Sequence, residues 1–244
     1  MLDTVNTFFS PQFAGQLNLF EGLAIWQDEQ FRSLQGSIPV IFLSLANVKE
    51  TNFTEAVSSF KFVLERCYAR FNYLVAQDAV LSENERRYFL ATNRDMSDLY
   101  AKNAILCLSE YLFRMYKKRP IILLDEYDTP LHEAWVHGYL EKLLAFLRGF
   151  FNSTFKTNPY LGRGLLTGIT QVGNDSIFSG MNNLEVVGIP SELYADCFGF
   201  TEKEVFSAMD EYGLTDKKEV KRWYDGFNFG QQREYIIPGP LSST

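Results

Sequence analysis

Cysteine and histidine are scarce in this chain, and each scarcity removes a class of function. The three cysteines, Cys67, Cys107 and Cys197, lie far apart in apolar surroundings, and no two have the spacing of metal ligands. All three are expected as reduced core residues, a disulfide or metal role being the much weaker reading. The two histidines, His132 and His137, are expected at an exposed helix start; metal ligation or acid–base work is the alternative reading of that pair. No apolar run is long enough to span a membrane, and the first residues do not have the layout of a signal peptide. The expected compartment is the cytoplasm. Basic charge is also short, 23 Lys and Arg against 30 Asp and Glu for a net charge of −7. That balance argues against a broad nucleic-acid-binding surface while leaving room for a local basic groove.

What is present is a chain built for a core. Of the 244 residues 46% are hydrophobic and only 22% charged, which suits one large domain or a domain with a small appendage. Aromatics make up 16%, with 22 Phe, so a core rich in rings is expected.

The stretch from Arg119 to Pro130 organises the rest. Ile121 to Leu124 is an unbroken run of branched apolar residues, the pattern of a strand buried on both faces in a parallel sheet. Pro120 opens it and Pro130 closes the turn behind it, which rules out a helix interior. Three carboxylates then follow within four residues, Asp125, Glu126 and Asp128. They stand where the strand leaves the core, the edge at which open α/β sheets bind ligands. Apolar residues ending in Asp-Glu form the Walker B pattern. Its chemistry assigns Asp125 to Mg²⁺ beside the β- and γ-phosphates of a nucleotide, and Glu126 to orienting the attacking water. The plainer alternative is that these acids cap the next helix.

Strand and helix patterns alternate around this stretch. Met1–Phe9 reads as an amphipathic helix, and residues 13–31 as irregular and aromatic. Pro39–Leu45 is a buried strand, followed by a helix from Thr54 or Glu55 to about Leu74. Residues 77–93 read as a polar connection, and about Met96 to Tyr116 as a helix whose basic end, Lys117 to Arg119, suits the helix dipole. A helix over 138–155, a third buried strand over Arg163–Thr170 and a short fourth over Glu185–Ile189 follow. The alternation predicts an α/β fold with a doubly wound parallel sheet over residues 1–190. Residues 191–244 read as a small helical segment, with a capping box at Thr201–Glu204 and a second helix over about Lys217–Tyr224. The third strand ends in Thr167 and Thr170, hydroxyls able to sense a γ-phosphate or merely to satisfy backbone groups.

The motifs gain meaning in series: Leu-Asp-Glu-Tyr-Asp-Thr-Pro at 124–130, Phe-Leu-Arg-Gly-Phe-Phe at 146–151, Leu-Thr-Gly-Ile-Thr-Gln-Val at 166–172, Ser-Ile-Phe-Ser-Gly-Met-Asn-Asn-Leu at 176–184, Cys-Phe-Gly-Phe-Thr-Glu at 197–202 and Trp-Tyr-Asp-Gly-Phe at 223–227. This series resembles the bacterial AAA-ATPase-like family of P-loop proteins, whose longer members carry a C-terminal nuclease-like domain. The resemblance runs from Leu2 to about Tyr235. It implies a P-loop-NTPase-like sheet using ATP and Mg²⁺, with Asp125 as the magnesium acid, Glu126 as the water-activating acid, and Asp128 as a third acid of the same motif. It also makes Arg148 a candidate for contacting a γ-phosphate or a neighbouring subunit, beside the equal reading of a helix-surface arginine. Ser176, Asn182 and Asn183 either line the nucleotide cleft or form turns, and Trp223 to Gly226 reads as a structural corner.

Family members begin with a strand and a phosphate-binding loop ending Gly-Lys-Ser, and the resemblance implies that this sequence starts just after it. No Gly-x-x-x-x-Gly-Lys-Ser/Thr occurs in these residues, and the cluster Gly162, Gly164 and Gly168 has neither the spacing nor the lysine. The expectation is an ATPase body without its phosphate cradle, inactive or nearly so by itself. The alternatives are a non-catalytic module that binds a protein partner or a second copy and, ranked below it, part of a nuclease system.

Overall fold

The computed structural model describes residues 2–16, 19–76, 80–169, 177–178, 184–188, 191–194, 199–229 and 232–236. The chain divides into two compact units, Met1–Met181 and Asn182–Thr244.

The first unit is an α/β body around a small parallel sheet. Its elements are α1 (Leu2–Phe9), two short helices α2 (Ala24–Gln27) and α3 (Glu29–Arg32), β1 (Val40–Ser44), α4 (Phe53–Ala69), α5 (Glu83–Leu90), α6 (Asp98–Tyr116), β2 (Ile121–Asp125), α7 (Thr129–Val136), α8 (Leu140–Phe151) and β3 (Arg163–Leu166). The strand order is β1-β2-β3, all parallel, with Ser44 opposite Asp125 and Leu124 opposite Leu166. The two-residue period of the strands divides the sheet's side chains between two cores. Ile41, Leu43, Ile122 and Leu124 point into the main core, where they meet α4, α6 and α8. Val40, Ile121, Phe42 and Leu123 point the other way, against Leu2, Val5 and Phe9 of α1. Helices on both faces explain why β2 needs apolar residues at every position. Full burial of a residue such as Leu123 contributes about 2 kcal/mol.

Rings fill the main core. Phe60 of α4 meets Phe146 and Phe150 of α8 edge-on, with centroids 5.5 and 4.8 Å apart. Cys67 is fully buried among them and its thiol is pushed up to about 11 by that burial, so it packs and does not react. Cys107 is half-buried and unpaired, and Cys197 lies outside the described residues.

The third strand ends at Leu166, short of Thr170, and is exposed rather than buried at Arg163, Gly164 and Leu165. Three further expectations change. Residues 77–93 are not simply a connection: they contain α5, opened by a capping box in which Ser82 and Glu85 satisfy each other's backbone groups. The helix is polar because it is a surface helix with only Phe89 buried, and Arg114 of α6 holds its Glu85 from 29 residues away. Second, residues 184–188 form no strand, and Ile189 lies outside the described residues. Third, the second unit is not purely helical. Helices α9 (Glu202–Glu211) and α10 (Lys217–Tyr224) are present, the first with its Thr201/Glu204 capping box, but three strands accompany them. Strands β4 (Phe200–Thr201), β5 (Asp225–Phe229) and β6 (Gln232–Ile236) form an antiparallel sheet in the order β4-β6-β5. Trp223 to Gly226 is thus the passage from α10 into β5, and the Trp223 indole N–H donates to Glu219 one helical turn back.

Among the described residues no helix is long and apolar enough to cross a membrane.

Candidate functional site at the strand tips

Parallel pairing carries all three strand exits to one edge of the sheet. Asp125 ends β2, Ser44 ends β1 opposite it, and Thr167 follows the last residue of β3. The Thr167 hydroxyl donates to Asp125 Oδ1 at 2.5 Å, closing a contact between residues 42 apart in sequence. The backbone locks the same corner. Leu45 N–H donates to Asp125 O at 2.9 Å, Thr167 N–H to Leu124 O at 2.9 Å, and Tyr127 N–H to Thr167 O at 3.1 Å. Asp125 Oδ2 takes no hydrogen bond from the described residues, and the residue is only part-buried.

Glu126 turns the chain at the tip. Its φ is +50°, in the left-handed region that non-glycine residues seldom occupy. Such a residue stores on the order of 1 kcal/mol, and persists where the surroundings over-determine it, as functional sites do. The reversal lets Thr129 N–H reach Glu126 O at 3.2 Å and the Thr129 hydroxyl donate to Glu126 Oε2 at 3.0 Å. Pro130 then suits the first turn of α7 because no amide is needed there.

Asp128 is the buried acid of the three, at 5% exposure. It occupies the N-cap of α7 yet makes no side-chain cap bond. Its Oδ2 instead accepts the Ile169 N–H at 2.9 Å, across from β2 to the segment leaving β3. Gly168 lies so close that an added Cβ would sit 2.7 Å from Asp128 Oδ1 and 2.8 Å from the Tyr127 ring.

The structure thus unites Asp125, Glu126, Asp128 and Thr167. Arg148 is exposed on another element, in the last turn of α8. Thr170, Ser176, Asn182 and Asn183 lie outside the described residues. His132 and His137 are exposed on α7 and at its end, with His137 Nε2 3.7 Å from Glu133. Three participants escaped the sequence reading. Ser44 had one signal, being the polar residue at the end of the Val40–Leu43 run. Thr129 and Gly168 had none, because their importance lies in what they touch.

This donor set suits Mg²⁺ better than a cation needing an all-protein cage. Among the described residues no three His, Cys, Asp or Glu side chains gather as a metal cluster. Magnesium typically takes one or two carboxylates and completes its octahedron with water and phosphate oxygens. Asp125, with one carboxylate oxygen left without a hydrogen bond among the described residues and flanked by the hydroxyl-bearing exits Ser44 and Thr167, fits that habit.

No solved structure matches the chain significantly. An uncharacterized protein from the vnfD 5' region of Azotobacter chroococcum mcd 1 is 28% identical over 120 residues, 48% of this chain. The chain matches only 23% of that relative's length. The model of the family described as "Predicted AAA-ATPase" matches residues 1–178, a span that contains the whole sheet and every acid at its tip, and the chain belongs to that family.

Proposed function

We propose that the tips of β2 and β3 form the magnesium-and-water end of an ATP site, in a domain whose sheet is the doubly wound, P-loop-NTPase type. The observation that carries this reading is the Thr167–Asp125 hydrogen bond beside Glu126, at the carboxyl edge of a parallel sheet. Asp125 would hold the cation through Oδ2, the oxygen that Thr167 leaves without a bond. Glu126, its carboxylate steadied by Thr129, would orient and polarise a water for in-line attack on the γ-phosphorus. Thr167 fixes the Asp125 carboxylate and stands where a γ-phosphate oxygen would be sensed; Thr170 and Arg148 remain candidates for the same task. Magnesium, when bound, would neutralise charge on the β- and γ-phosphates.

The phosphate cradle has no counterpart within these 244 residues. Backbone N–H groups and a lysine of such a loop hold the phosphates, and positioning with electrostatic stabilisation is most of phosphoryl-transfer catalysis. The chain alone is therefore proposed to be inactive or nearly so. A strand delivering such a loop would pair with β3, the last strand of the parallel sheet among the described residues, where Arg163, Gly164 and Leu165 are exposed.

The test is Mn²⁺ with ATP on the isotope-labelled 244-residue chain. Paramagnetic broadening centred on the amides of Ser44, Asp125, Glu126 and Thr167, fading with distance from them and lost in Asp125→Asn, is expected. Broadening centred elsewhere, or none, overturns the site. ATP turnover that Glu126→Gln abolishes would keep the site and overturn the inactivity.

A second reading, association with a protein partner or a second copy, is favoured by one feature. Leu165 is 39% exposed and Ile169 92% exposed beside β3, the last strand of the parallel sheet among the described residues. A monodisperse monomer in light scattering would count against it. A nuclease role has only the resemblance behind it.

A further inference from the structure

The structure assigns Asp128 a task distinct from ligand binding: together with Gly168 it is a clasp that sets the Thr167 hydroxyl against Asp125. That the clasp prepares Asp125 for magnesium rests on the nucleotide-site reading above; the clasp itself does not.

The argument begins with a displaced cap. An Asp at the N-cap of a helix ordinarily accepts an amide of its own first turn, which is worth about 1 kcal/mol. Asp128 forgoes this. Its carboxylate turns across the sheet edge and accepts the Ile169 N–H at 2.9 Å, a bond spanning 41 residues. The carboxylate is buried at 5% exposure while the Ile169 residue that donates to it is 92% exposed. Ile169 is therefore held through its backbone and not through packing of its side chain. A buried carboxylate is costly unless hydrogen-bonded, so Asp128 draws the segment after β3 towards itself.

The second half of the clasp is an absence of bulk. Gly168 sits between Thr167 and Ile169 with room for no Cβ: one would lie 2.7 Å from Asp128 Oδ1 and 2.9 Å from Asp128 Cγ. Only glycine lets the backbone come this near. The two neighbours of Gly168 are then fixed on opposite sides. Thr167 is anchored by its N–H to Leu124 O at 2.9 Å and by its O from Tyr127 N–H at 3.1 Å; Ile169 is anchored to Asp128. With both flanks pinned, the Thr167 side chain is directed to Asp125 Oδ1 at 2.5 Å. Asp128 is thus a positioning residue that acts through Thr167.

The test uses the full chain and reads geometry without relying on activity. Amide exchange at Ile169 and Thr167, and the Thr167 χ1 rotamer from three-bond couplings, are measured by NMR in the wild type, Asp128→Ala, Asp128→Asn and Gly168→Ala. Asp128→Ala is expected to speed Ile169 exchange about ten- to a hundredfold, the equivalent of one charge-assisted hydrogen bond. It is also expected to turn a single Thr167 rotamer into an average. Asp128→Asn, which keeps an acceptor oxygen, restores most of both. Gly168→Ala, with Asp128 intact, averages Thr167 by pushing its neighbour off the carboxylate. Retained Ile169 protection and a single Thr167 rotamer in Asp128→Ala overturn the proposal. If that variant does not fold, an unchanged Thr167 rotamer in folded Gly168→Ala overturns it equally. Failure of the Mn²⁺ broadening in the wild type with these exchange effects intact removes the nucleotide reading and leaves the clasp.

Discussion

Replacing Glu85 by Gln tests how the helix layer behind β2 is held together. Glu85 makes two kinds of contact. Within α5 its Oε2 accepts the Ser82 N–H at 2.8 Å and the Ser82 hydroxyl at 2.7 Å. Across to α6 it receives a fork from Arg114, Nη2 to Oε1 at 2.6 Å and Nη1 to Oε2 at 3.2 Å. Arg114 lies in the last turn of α6, the helix that hands the chain to β2. The Arg114 fork, helped by Ser82, holds the Glu85 carboxyl down at about 2, from the usual 4.5. For a fully sheltered group that difference would be worth roughly 3 kcal/mol. The side chains of Arg114 and Glu85 keep 34% and 27% of their exposure, so solvent screening reduces the charge contribution to about 1 kcal/mol. Gln retains the reciprocal cap, so the substitution isolates the charge. The sign follows from a carboxyl whose folded value lies below its unfolded value. The contribution is fully present above about pH 4.5 and is lost as the pH falls towards 2. Urea denaturation of wild type and Glu85→Gln should differ by about 1 kcal/mol at pH 7 and converge near pH 2. Equal stability at pH 7, or a difference that does not change with pH, would refute the reasoning.

Two further substitutions probe the same body. Lys117 ends α6 at φ +54°, so Lys117→Gly should stabilise the fold by about 0.5–1 kcal/mol in urea, because glycine occupies that region without a Cβ penalty. The Tyr68 hydroxyl donates to Ala104 O at 2.6 Å in the core, where burial pushes its ionisation well above the ordinary phenol range. Tyr68→Phe should cost about 1 kcal/mol and leave the fold unchanged by circular dichroism, since it removes one buried hydrogen bond without opening a large cavity, and the Ala104 carbonyl lies inside α6, where it keeps its intrahelical partner.

The strands and long helices of the first unit were legible because their signals are local. Four apolar residues between Pro120 and Asp125 identify a doubly buried strand wherever it pairs, and the stripes of α4, α6 and α8 report their buried faces directly. The same locality put Asp125 and Glu126 at a strand exit. Helix α5 was missed although Ser82 to Glu85 spells its capping box. It buries too little to show an apolar stripe, and its anchor, Arg114, is remote in sequence. The β5–β6 pair was missed because a strand is defined by its partner, and β6 also recruits β4, pairing Ile236 with Phe200 and Tyr235 with Thr201, 36 and 34 positions earlier.

The sequence alone determined which residues stand at the ends of buried strands, because burial on both faces leaves a compositional mark that needs no knowledge of neighbours. Only the tertiary structure decided that Thr167 meets Asp125, that Glu126 turns left-handed, and that Asp128 leaves its own helix to hold Ile169. Those contacts join residues from two strand exits, and their geometry exists only once parallel pairing has brought the exits to one edge.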